Sequence, residues 1–128
     1  MGYLERVTAR KILLCDDSDL VRALVVHALQ SNGYDIATID DPKHLAGQLA
    51  KGIPDLVLVD ATFPGTSEDR LVELVAPHTK DAIIHVFSDR PEAETRALAD
   101  RMGAAGTIPK DDVSKLPGRL ATLFSQPR

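Results

Sequence analysis

Acids, a hydroxyl and an amine stand at the ends of short apolar runs in this chain. Leu13, Leu14 and Cys15 lead into Asp16 and Asp17; Leu56 to Val59 lead into Asp60; Ile83 to Phe87 lead into Ser88; Thr107, Ile108 and Pro109 lead into Lys110. Short apolar runs with polar ends read as buried strands, so each of these groups is expected where a strand opens into a loop. Together they are the groups that phosphoryl chemistry on an aspartate requires. One carboxylate serves as nucleophile, others hold a divalent cation, and the hydroxyl and amine bind phosphoryl oxygens.

Whether they converge depends on the elements that carry them. Lys11 to Cys15 reads as a first strand, and Ser18 or Asp19 caps a helix with apolar residues at Leu20, Val21, Leu24, Val25, Ala28 and Leu29. That spacing makes one helical face, and Asn32 and Gly33 stop it. Tyr34 to Ile39 is a second strand. Asp40 or Asp41 caps a helix beginning at Pro42 and closing at Gly52, and Leu56 to Val59 is a continuously apolar, central strand. Ser67 to Ala76 is a third helix with Leu71, Val72, Leu74 and Val75 inward, followed by a fourth strand over Ala82 to Phe87. A helix over Pro91 to Met102, with Ala97, Leu98 and Met102 on its apolar side, precedes a short strand over Gly106 to Ile108. The last helix runs to about Ser125 with Leu116, Leu120, Leu123 and Phe124 inward; either Ser114 caps it with Pro117 in its first turn, or it bends at Pro117.

Five strands alternating with five helices predict a parallel sheet covered on both faces, because each parallel strand needs a crossover. In such a sheet the crevice for function lies outside the carboxyl ends of the strands, where strand order reverses. With the order 2-1-3-4-5, the first and third strands are central neighbours, and Asp16, Asp17 and Asp60 share one crevice. Three adjacent carboxylates repel one another, and a hard divalent cation relieves that penalty; Mg²⁺, with its preference for oxygen ligands, suits the set. Lys110 is expected to hold a phosphoryl oxygen as a point charge and Ser88 to donate to another. Each of these groups has a plainer reading beside the functional one: Asp60 could be a simple strand-end acid and Lys110 a solvated surface lysine. Asp16 and Asp17 could serve as helix caps, and so could Ser88, which stands before Asp89, Arg90 and Pro91.

On these residues the chain resembles the receiver domains of two-component response regulators. The matching pieces are Asp16 and Asp17 after the first strand, Asp60 to Pro64 after the third, Ser88 after the fourth, and Gly103 and Ala104 followed by Lys110. The resemblance implies a flavodoxin-like (βα)5 three-layer sandwich over residues 11–125, with 1–10 as an N-terminal extension and 126–128 as a tail. It implies a stand-alone phosphorelay component, phosphorylated on Asp60 by a phosphohistidine of a sensor histidine kinase or histidine phosphotransfer protein. Asp17, Asp60 and the Thr62 carbonyl would ligate Mg²⁺, with Asp16 acting directly or through water. Ser88 and Lys110 would bind the phosphoryl group. A downstream target would meet the surface from Pro91 to Ser125, formed by the fourth helix, fifth strand and fifth helix.

The chain departs from the family pattern at four places. Thr107 stands where an aromatic residue usually swings inward on activation. Asp111, not proline, follows Lys110, so no cis peptide is expected there. Asp89 replaces a small residue after Ser88, where it either crowds the phosphoryl entrance or points into solvent. The loop Thr66 to Asp69 lacks a glycine usual further on. The chemistry is therefore expected to be intact and the readout altered. The alternative is a pseudo-receiver, an interaction module in which phosphorylation is unused. An aspartate-nucleophile phosphatase fits less well, because those enzymes place a second acid where this chain has Thr62. Thr62 and Arg90 flank the expected path of the hydrolytic water.

Composition narrows the classes further. A chain of 128 residues suits one domain, and 44% hydrophobic residues can fill its core. A net charge of −4 makes no electrostatic case for nucleic acid or an anionic membrane surface. No apolar stretch approaches the roughly 20 residues that span a bilayer. The first six residues lack a signal peptide's apolar core, and Arg6 breaks the myristoylation pattern, so a cytoplasmic protein is expected. The single cysteine, Cys15, excludes an internal disulfide and reads as a buried, inert thiol. His27, His44, His78 and His85 lack metal-ligand spacing and are expected at the surface or satisfied in the core.

Overall fold

Along β1 (Lys11–Cys15) and β3 (Leu56–Asp60) every buried side chain is apolar, and successive residues point to opposite faces. Both faces of the sheet must therefore be covered. Leu13, Cys15, Val57 and Val59 face one way, and Ile12, Leu14, Leu56 and Leu58 the other, each set at the centre of its own core. The computed structural model describes residues 9–126. Its remaining elements are α1 (Asp19–Gln30), β2 (Asp35–Ile39), α2 (Leu45–Ala50), α3 (Glu68–Val75), β4 (Ile84–Ser88), α4 (Glu92–Met102), β5 (Gly106–Pro109) and α5 (Leu116–Ser125).

The sheet is parallel throughout, in the order β2-β1-β3-β4-β5. On one face α2, α3 and α4 contribute Leu45, Leu49, Leu71, Val75, Leu98, Ala99 and Met102. On the other, α1 and α5 contribute Val25, Leu29, Leu116 and Leu120. This is the expected flavodoxin-like three-layer (βα)5 sandwich. Register then places the chemistry. Cys15 pairs with Val59, so Asp16 and Asp60 leave neighbouring strands at the same level. Asp60 pairs with Phe87 and Ser88 with Pro109, so Ser88 and Lys110 follow one step further along the rim.

Several expectations at the level of single residues are corrected. In α1, Leu20 and Leu24 are 67% and 47% exposed, while Val25 and Leu29 are fully buried. The apolar stripe is wider than the strip of helix that the sheet and α5 cover, and its leading flank stays outside. In α4, Ala97 is exposed and Thr95 takes the inward place beside Leu98, Ala99 and Met102. Its hydroxyl lies within hydrogen-bond reach of the Arg90 and Pro91 carbonyls, which removes the cost of burying it. The strand expected from Tyr34 begins at Asp35, because the Tyr34 N–H closes α1 on the Leu29 carbonyl. That expected from Ala82 begins at Ile84, because the Ala82 N–H is spent on the His78 carbonyl.

Ser18 caps α1 through the Val21 N–H at 3.2 Å, so Asp19 is not the cap. Asp41 caps a 3₁₀ turn, Pro42–His44, that leads into a shorter α2 ending at Ala50, ahead of Gly52. Asp112, not Ser114, caps the 3₁₀ turn Val113–Lys115, and Pro117 lies in the first turn of α5 without bending it. No helix among the described residues is long and apolar enough to cross a membrane.

Candidate functional site

Asp16 leaves β1 into complete burial. Its Oδ1 accepts the Ser18 N–H at 2.9 Å and its Oδ2 accepts from Lys110 Nζ at 2.7 Å. The Arg22 guanidinium donates to its carbonyl at 2.7 Å. Asp60, 13% exposed at the end of β3, lies 3.0 Å from the same Lys110 Nζ and accepts the Thr62 N–H at 3.3 Å. Asp17 is exposed and completes the group: one carboxylate oxygen from each of Asp16, Asp17 and Asp60 lies within 4.8 Å of the others.

Lys110 reaches this group because its N–H donates to the Ser88 carbonyl at 2.8 Å, which ties the exit of β5 to the end of β4. Its Nζ lies over the Phe87 ring, 5.2 Å from the centroid. Ser88 is buried on the adjoining strand end, and its Oγ accepts the Arg90 N–H at 3.0 Å. Neither side chain caps a helix, because Ser18 caps α1 and α4 starts after Pro91 with no side-chain cap; Asp16 and Ser88 make local turn contacts instead.

Electrostatics follow from burial. Loss of solvent pushes the Asp60 carboxyl above its ordinary value, Lys110 draws it back down, and Asp16 pushes it up again. Burial also opposes charge on Lys110, but its contacts with Asp16 and Asp60 outweigh that and hold the ammonium above its ordinary range. Cys15, fully buried just inside the site, has its thiol pushed far up by burial and then by the surrounding acids, which keeps it inert. Hard oxygen donors from three carboxylates, one of them held up by desolvation, fit a Mg²⁺-like cation. Asp16, Asp17 and Asp60 are the side chains able to hold it.

Thr62 is exposed, and its hydroxyl accepts from the Arg90 guanidinium at 2.8 Å. The same Arg90 nitrogen lies 3.3 Å from the Ala61 carbonyl, so the two flanking residues meet across the loop after Asp60. Three partners escape a reading of local pattern. Arg22 braces Asp16, Glu68 of α3 pairs with Arg90 at 3.5 Å, and Arg101 of α4 pairs with Glu68 at 2.6 Å. All are charged residues on helices, Glu68 and Arg101 half-exposed and Arg22 largely covered, and none belongs to a local motif.

The departures from the family pattern also find their places. The Thr107 hydroxyl lies 3.2 Å from a Glu92 carboxylate oxygen and 3.4 Å from the Arg96 guanidinium, held against α4. Asp111 turns away onto Arg119, which grips both its oxygens at 2.6 and 3.2 Å and holds its carboxyl well below the usual range. Asp89 is exposed. No cis peptide occurs among the described residues. His85 corrects the expectation of a satisfied core histidine: it is buried, and its Nδ1 has no hydrogen-bond partner.

Known proteins match this frame. The chain is 31% identical over 104 residues to the phosphate regulon transcriptional regulatory protein PhoB of Klebsiella pneumoniae, covering 80% of this chain and 45% of that protein. It is 27% identical to the DNA-binding transcriptional regulator NtrC of Rhizobium meliloti, over 95% of this chain and 25% of that protein. The chain thus spans less than half the length of these curated relatives. Among solved structures, the chemotaxis response regulator CheY4 of Vibrio cholerae superposes with a TM-score of 0.75 at 24% identity, covering 91% of this chain and 98% of that one. A response regulator from Thermotoga maritima superposes at 0.76 and 20% identity, over 92% and 99%. These two establish the fold. The family model for the response regulator receiver domain matches residues 12–121, and the chain belongs to that family.

Proposed function

We propose that this chain is a phosphoacceptor of a two-component phosphorelay, with Asp60 as the acceptor. The observation that carries this reading is the position of Lys110 Nζ, 2.7 Å from Asp16 and 3.0 Å from Asp60, beside a three-acid cluster open to solvent at Asp17. An Asp60 oxygen attacks the phosphorus of a phosphohistidine in line. The O–P bond forms as the P–N bond breaks, and the imidazole leaves with the bonding pair and takes up a proton. Lys110 follows the negative charge onto the phosphoryl oxygens, and the Ser88 hydroxyl, whose oxygen is already held by the Arg90 N–H, donates its proton to another. A Mg²⁺ held by Asp17, Asp60 and the Thr62 carbonyl, with Asp16 direct or through water, would neutralise phosphoryl charge when bound. Water hydrolyses the acyl phosphate and resets the domain.

The open rim supports a protein phosphodonor: a sensor histidine kinase or a histidine phosphotransfer protein. The signal would pass to a protein target at the face of α4, β5 and α5, in the cytoplasm and without nucleic-acid contact by this domain. Incubation with Mg²⁺ and a small acyl-phosphate donor tests the reading. One phosphoryl group should appear by mass spectrometry and vanish in Asp60→Asn. An unmodified wild-type chain would overturn it. The pseudo-receiver reading is favoured by one observation, the Thr107 hydroxyl held between Glu92 and Arg96 in place of a mobile aromatic ring.

A further inference from the structure

Glu68 stands between two arginines. Its Oε2 lies 3.5 Å from Arg90, on the loop that follows Ser88, and its Oε1 lies 2.6 Å from Arg101, in the last turn of α4. Arg101 also reaches Asp69 at 2.5 Å. The other arm of Arg90 lies across the Ala61 carbonyl and the Thr62 hydroxyl, and the Thr62 N–H in turn donates to Asp60. A continuous polar chain therefore runs from the proposed acceptor through Thr62, Arg90 and Glu68 to Arg101.

We propose that Arg90 is a phosphoryl-sensing residue positioned by Glu68, and that a phosphoryl group on Asp60 draws Arg90 away from Glu68 and so reports its presence to α3 and α4. The proposal rests on Asp60 being a phosphoacceptor. The competition is uneven. The Glu68–Arg90 pair is long and half-exposed, and pairs of that kind are weak. Glu68 also shares its charge with Arg101. A phosphoryl group brings close to two charges and three acceptor oxygens, and a guanidinium fork matches such oxygens well. Arg90 already touches Thr62, the residue whose N–H donates to Asp60. Once it leaves, Glu68 is held by Arg101 alone, so the contact between α3 and α4 changes with the state of Asp60. This supplies a route for the signal in a chain whose Thr107 has no ring to swing inward.

The test uses the whole chain with Mg²⁺ and beryllofluoride, a phosphoryl mimic whose bound form has its own fluorine NMR signal. Absence of that signal in the wild type would overturn both the acceptor reading and this one. Given the signal, Glu68→Gln frees Arg90 and should tighten beryllofluoride binding, roughly two- to fivefold for loss of a pair of this kind. Arg101→Gln leaves Glu68 to Arg90 alone and should weaken it. Arg90→Ala should weaken binding and abolish the effect of Glu68→Gln in the double variant. The amide signals of Glu68 and Arg101 should shift on binding in the wild type and stay fixed in Arg90→Ala. If Glu68→Gln leaves affinity unchanged or lowers it, or if its effect survives in the Arg90→Ala background, Glu68 does not position Arg90 and the proposal fails.

Discussion

Lys110 Nζ lies 2.7 Å from Oδ2 of Asp16, a carboxylate with no exposure to solvent, although 94 residues separate the two. The carboxylate of Asp16 is thus buried, and its ammonium partner arrives from the far edge of the sheet, at the exit of β5. The pair ties the first strand's loop to the last strand's loop across the proposed acceptor.

Lys110→Met is unbranched and of similar length but lacks the charge, leaving Asp16 and Asp60 to repel each other. Breaking a buried pair in this way costs about 3 kcal/mol, far more than losing an exposed pair. Urea unfolding without divalent cation should show that loss, and added Mg²⁺ should recover part of it by supplying the missing positive charge. A loss below about 1 kcal/mol, the range of surface pairs, would show that the site is more solvated than its burial indicates.

Asp60 gives the opposite sign. Its folded pKa is raised by burial above the unfolded value of 3.8. Its stabilising contribution is therefore complete below that value and is lost as pH rises through the folded pKa, where the native state must ionise a desolvated carboxyl. At neutral pH and without divalent cation, Asp60→Asn should therefore be more stable than the wild type. The gap should close on acidification. It should also narrow with Mg²⁺, which the asparagine binds less well. Equal stability of the two proteins at every pH would contradict the burial effect.

The strands and the rim acids were legible in the sequence because each rests on a local signal, a short apolar run with a polar residue at its end. Strand order made neighbours of β1 and β3, and register then carried Asp16 and Asp60 to one level. What was not legible depends on placement in space. The apolar stripe of α1 does not say which flank the sheet leaves uncovered, so Leu20 and Leu24 look no different from Val25 and Leu29. Glu68 lies 22 residues from Arg90 and 33 from Arg101, and three charged residues that far apart carry no pattern. His85 reads as one of four scattered histidines until β5 is laid against β4.

His85 should limit stability in acid. Burial and then the Arg96 charge lower its pKa below the unfolded value of 6.5, while the Thr107 backbone raises it a little. A depressed base contributes stability that is present above the unfolded pKa and is lost as pH falls through the folded one. Its Nδ1 is also buried without a partner, which costs about 1–3 kcal/mol on its own. His85→Leu is of similar size and should match or exceed wild-type thermal stability at neutral pH. Its advantage should grow as pH drops below about 6.5, the ordinary histidine range. A parallel pH dependence in both proteins would assign the acid limb to another group.

Gly106 is the reason His85 fits. The two are paired across β4 and β5, and a Cβ on Gly106 would come within 2.8 Å of the imidazole Cε1 and 3.0 Å of its Nδ1. Either the ring or the backbone of β5 must shift to admit that methyl, so Gly106→Ala should destabilise the domain, by up to the ~1–3 kcal/mol typical of overpacking. The same substitution in a His85→Ala background places its methyl where the ring had been and should cost far less, or gain stability. A double-mutant cycle measured by urea unfolding reads this coupling directly. If Gly106→Ala costs the same with and without the imidazole, the glycine answers to the backbone of β5 and not to His85.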